Sequence, residues 1–99
     1  MARAIRYHPL FECDVVEAAN WYDGRSQGLG GVFSGKVKIA TEAVLRHPER
    51  FVATNAGLRY VRVKRFPFIV LFHADDTEVL LLGVLHTARS IEKWKVSRR

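Results

Sequence analysis

The stretch LRYVRVKRFPFIVLFHADDTEVLLLGVLH, residues 58 to 86, decides the fold. It holds three β-rich runs, LRYVRVKR, FIVLFH and VLLLGVLH, broken by a turn at Phe66-Pro67 and by the acidic turn Ala74-Asp75-Asp76-Thr77. Short turns between successive runs imply an antiparallel meander. The second and third runs are apolar at almost every position instead of alternating, so both of their faces must be buried. Something must cover each face.

The upstream sequence supplies one cover. RAIRYH, residues 3 to 8, suits a first strand stopped by Pro9, and Pro9 fits a first helical turn, where its missing N–H costs nothing. Phe11, Val15, Ala18 and Tyr22 then recur at spacings of four, three and four, which predicts an amphipathic helix ending near Asp23-Gly24. GRSQGLGG, residues 24 to 31, is rich in glycine and reads as a loop. Leu29, Phe33, Val37, Ala40 and Val44 repeat the apolar stripe in a second helix, closed by Pro48. Two such helices form an antiparallel hairpin with one oily side.

That hairpin covers one face of the sheet. The other needs the C-terminal segment or another chain. Residues 88 to 97, ARSIEKWKVS, predict a short last helix with Ile91 and Trp94 on one side. The expected fold class is therefore α+β, in the order β-α-α-β-β-β-α: an N-terminal strand, then an antiparallel α-hairpin packed on a mostly antiparallel sheet, a three-strand C-terminal meander and a short C-terminal helix. Ninety-nine residues suit one domain spanning 1–99.

The charge is uneven. Residues 1 to 57 carry seven Lys or Arg against six acids, a net of +1, whereas residues 58 to 99 carry nine against four, a net of +5, which together make the formal +6. A basic half favours an anionic partner: RNA, DNA or an acidic protein. Cys13 is the only cysteine, so no intramolecular disulfide forms, and with His8, His47, His73 and His86 it offers no metal-ligand spacing. No metal or other cofactor is expected. No run approaches the ~20 apolar residues of a membrane span, and a cytoplasmic location fits.

Within RYVRVKR the pleat divides the charges. Arg59, Val61, Val63 and Arg65 share one face, with the valines toward the helices; Tyr60, Arg62 and Lys64 share the other and form a basic, aromatic surface for phosphate or an acidic protein. Trp94 is a further candidate for partner or nucleic-acid binding, although its spacing from Ile91 suits packing better. His86, at the end of the last strand, is the histidine placed to act as acid or base, and Arg65 and Arg89 suit phosphate in bidentate fashion. Each also has a structural reading, as a strand-end hydrogen-bonding residue or an ion-pair partner. Trp21 and Tyr22 read as structural, with Tyr22 on the sheet and Trp21 at the hairpin flank.

Ala18, Trp21-Tyr22, Leu29-Gly30, Phe33, Pro48, Arg59, Arg65-Phe66-Pro67-Phe68, then His86 with Arg89, and Trp94, taken in this order, resemble the RelE/ParE superfamily of bacterial type II toxin–antitoxin toxins, which includes plasmid stabilization proteins. The resemblance runs from about residue 7 to residue 95. It implies a growth-inhibiting toxin, stable when bound to a cognate antitoxin in a hetero-oligomer. Members resembling ParE inhibit DNA gyrase by binding; members resembling RelE are ribosome-dependent endonucleases that cut mRNA, a role for which His86, Arg65 and Arg89 are the candidates. The nuclease branch adds a Lys pair and a C-terminal Tyr or His-Tyr, whereas this chain has no Tyr after Tyr60, and Trp94 cannot transfer a proton. The departure favours the ParE-like alternative. A third alternative is an inactive member that retains antitoxin binding and operon autoregulation.

Overall fold

The computed structural model describes residues 3–54 and 57–98. Met1, Ala2, Asn55, Ala56 and Arg99, including both ends of the expected domain, lie outside the described residues. The order is β1 (Ala4–Tyr7), α1 (Phe11–Arg25), α2 (Leu29–Arg46), a 3-10 turn (Pro48–Arg50), β2 (Val52–Ala53), β3 (Arg59–Arg62), β4 (Phe68–Ala74), β5 (Glu78–His86) and α3 (Ile91–Val96). The sheet runs β1-β5-β4-β3-β2. The α+β class holds, with two additions. β2 is an extra two-residue strand paired with β3, and β1 lies parallel to β5, so the sheet is mixed.

α1 and α2 follow their apolar stripes. Phe11 is buried, and Val15, Ala18 and Tyr22 pack on the same core, which α2 completes with Phe33, Val37, Ala40 and Val44. The connection between them is only Ser26 to Gly28, shorter than the eight-residue loop expected from GRSQGLGG. Gly24 is absorbed into α1, while Gly30 and Gly31 enter α2. Gly30 is needed there because a Cβ would lie 2.3 Å from the Ala19 carbonyl oxygen, and at this close approach its N–H donates to Asp23 Oδ1 at 2.7 Å. Glycine at this crossing lets the two helices touch.

β4 and β5 carry the two-sided core. Val70, Phe72, Val79, Leu81 and Val84 face the α-hairpin, whereas Ile69, Leu71 and Leu85 face α3 with Leu58 and Trp94. Leu71 pairs with Gly83 and Phe72 with Leu81, so Leu82 has no partner and bulges. The extra residue reverses the alternation of β5, which brings Val79 and Leu81 onto the same side as Val84. The C-terminal segment supplies the second cover: Trp94 is 3% exposed and Ile91 packs beside it.

The cover is fastened at the β1 side of β5. β1 stops at Tyr7, and past its end the Val84 N–H donates to Asp14 Oδ2 at 3.0 Å. The other oxygen of Asp14 pairs with Arg98, whose guanidinium lies 4.7 Å from the centre of the Trp94 ring. Both charged side chains are largely buried, at 15% and 8% exposed. His8 joins the clamp through its Nε2, 3.1 Å from the Arg98 carbonyl oxygen. Gly83 passes beneath, where a Cβ would lie 2.5 Å from both Asp14 Oδ2 and the Trp94 ring.

Candidate functional site

The turn after β3 begins the site. The expected strand through Arg65 stops at Arg62, because Val63 N–H bonds the Phe68 carbonyl at 3.0 Å and Phe66 N–H bonds the Val63 carbonyl at 3.3 Å. Arg65 takes a left-handed φ of 74°, a cost for a side chain with a Cβ. An aromatic cluster holds the turn in place. Phe66 sits 4.8 Å from Tyr22 and 5.1 Å from Phe33 between ring centres, and Phe68 sits 5.0 Å from Phe33.

The HTAR segment continues from this cluster. The His86 ring meets Phe68 edge-on at 5.2 Å, and Thr87 N–H donates to the Pro67 carbonyl at 2.9 Å. Arg89 N–H donates back to the His86 carbonyl at 3.0 Å, and Ser90 caps α3 by accepting from Lys93 N–H at 3.3 Å. The Ala88 N–H donates to His86 Nδ1 at 3.0 Å. A neutral imidazole that accepts at Nδ1 carries its proton at Nε2. His86 therefore presents a donor, and using Nε2 as a base would require loss of the Ala88 hydrogen bond.

Two clefts meet at His86 and Arg89. The smaller, 200 Å³, lies on the α3 side and gathers Tyr60, Arg62, Thr87 and Ile91 around the shared pair. The larger, 520 Å³, lies on the α1 side and is lined by Glu17, Trp21, Tyr22 and Phe68 as well as the shared pair. Burial pushes the Tyr22 phenol above its ordinary pKa.

Of the residues singled out in the sequence, Tyr60, Arg62, His86 and Arg89 come together. Lys64 and Arg65 are exposed in the turn and line neither cleft, while Trp94 belongs to the second core. Val61 and Val63 do face the helices, and Arg59 donates to the Phe51 carbonyl. Trp21 and Tyr22, which read as structural in the sequence, stand with Glu17 and Ala18 on the α1 wall of the larger cleft. Its signal was Glu17-Ala18 followed by Trp21-Tyr22, two pairs one helical turn apart on a single side of α1.

Chemically, the small cleft offers two guanidiniums, the Nε2–H of His86 and two hydroxyls. That is a set of donors and cations suited to an anion. It lacks a carboxylate or a free imidazole nitrogen to accept a proton.

This arrangement sits on a known fold. A chain of the chromosomal ParDE TA system from P. aeruginosa superposes with a TM-score of 0.74 over 85% of this chain and 95% of that one, at 11% sequence identity. The likeness is one of fold. It bears out at that level the resemblance read from the sequence. No protein-family model matches the chain, and no curated protein matches it in sequence. Among the described residues, no helix is long and apolar enough to cross a membrane.

Proposed function

We propose that this protein is a ParE-like toxin of a bacterial type II toxin–antitoxin system, held by a cognate antitoxin in a cytoplasmic hetero-oligomer and inhibiting DNA gyrase by surface binding when free. The observation that supports the toxin reading is the fold shared with the ParDE chain across most of both molecules. What favours gyrase over mRNA is His86: its Nδ1 accepts from Ala88, and Arg65 lines neither cleft with it. Both observations weigh against the catalytic set that the nuclease reading requires. The two arginines of the small cleft are the feature that favours the second reading, a ribosome-dependent mRNA endonuclease.

Tightly controlled expression, with translation and DNA supercoiling followed separately, tests the choice. The expected result is inhibition of purified gyrase that survives His86→Ala. Rapid ribosome-dependent mRNA cleavage without any effect on gyrase would overturn it, and absence of any growth effect would favour the inactive alternative.

A further inference from the structure

The larger cleft has a binding wall that the fold does not use. Trp21 is 57% exposed, yet it is fixed on two sides: its ring meets Tyr22 edge-on at 5.1 Å, and the Arg25 guanidinium lies 4.5 Å from its centre. A large, rigid, exposed indole beside a cavity of 520 Å³ is the pattern of an interface anchor point, because little ordering entropy remains to be lost on binding. The floor, formed by Ala18, Phe68 and Val84, is apolar.

The polar groups select the occupant. Among the described residues Arg89 has no carboxylate partner and His86 Nε2 has no acceptor, so the edge that the two clefts share offers a guanidinium and an N–H donor to a single anionic group. Glu17 stands on the α1 wall beside Asp14, whose charge Arg98 already neutralises. A polyphosphate chain extending along the cleft would meet the Glu17 carboxylate, whereas a single carboxylate at the Arg89 end carries less charge toward it. We propose that the cleft is a peptide-docking site for an aromatic or branched apolar side chain adjacent to a carboxylate.

The isolated chain tests this without antitoxin, gyrase or ribosome, so its failure leaves the toxin reading untouched. N-acetyl-L-phenylalanine and N-acetyl-L-leucine, titrated to about millimolar levels as befits ligands of this size, are followed by backbone and indole NMR shifts. Saturable shifts at Trp21, Phe68, Val84 and Arg89 are expected. N-acetyl-L-phenylalaninamide, which lacks the carboxylate, should bind about tenfold more weakly, the loss of one charge-assisted hydrogen bond. In Arg89→Gln the acid and the amide should bind alike, and Trp21→Ser should weaken both. Equal binding of acid and amide to the unaltered chain, shifts scattered over the basic surface, or tighter occupation of these residues by a single-stranded oligoribonucleotide would each overturn the proposal.

Discussion

The two faces of the sheet are covered in different ways. One lies beneath helices of 15 and 18 residues that interlock through Phe11, Phe33, Val37 and Val44. The other lies beneath a helix of six residues whose only buried side chain is Trp94. A helix that short has no stability of its own. The first face is held by area; the second is held at a few points, above all the Asp14–Arg98 pair. Cores built so unequally open unequally, with the lightly covered side exchanging first.

The sharpest break in this comparison comes from the heavy side. Phe33→Ala should cost about 3–5 kcal/mol, because the ring is fully buried and joins α2 to both Tyr22 and Phe68. Denaturant melts should show one cooperative transition at lower midpoint, with amide protection falling in both helices and all central strands. If protection fell on the α-hairpin alone, the first face would not be the stability-determining unit.

Asp14→Asn tests the fastening. It keeps an acceptor for the Val84 N–H and removes the charge, leaving Arg98 buried without a counterion, and should cost about 2–3 kcal/mol. Hydrogen exchange should quicken first at 91–96, and Trp94 fluorescence should shift to the red. Equal loss of protection in α2 would show that α3 does not open separately.

The smallest effect is expected at Arg65→Gly. Relieving the left-handed backbone should stabilise the chain by up to about 1 kcal/mol after the entropy of glycine is counted. Arg65→Ala, which keeps the strained φ, should give no such gain. A thermal midpoint unchanged by Gly, or raised by Ala, would mean that the turn stores no strain.

Legibility in the sequence followed the same division. Helical stripes and apolar strand runs are local patterns, so α1, α2 and the meander could be read directly. The site was legible only in pieces: the sequence groups Arg65 with His86 and Arg89 and sets Tyr60, Arg62 and Lys64 on a separate surface, whereas β3 ends at Arg62 and the turn carries Lys64 and Arg65 away, leaving Tyr60 and Arg62 beside His86 and Arg89. The rest depended on distant partners. The pairing of β1 with β5 and the bond from Arg98 to Asp14 join opposite ends of the chain, and nothing in either segment announces the other. The glycines of α2 misled for a different reason: a residue that usually breaks helices was needed where two helices cross. Leu82, one leucine in a run of leucines, gives no sign that it bulges.

The parallel pairing of β1 with β5 also bears on how the chain is made. At roughly 5–20 residues per second on the ribosome, β1 and the entire α-hairpin exist for several seconds before the strands that bury them are synthesised. During that interval the nascent polypeptide displays Phe11, Phe33, Val37 and Val44 to its surroundings, with β1 awaiting a neighbour that is not yet translated. The apolar side of the hairpin is therefore at its most exposed before β4 and β5 are made, a vulnerability set by the order of synthesis and not by the finished fold.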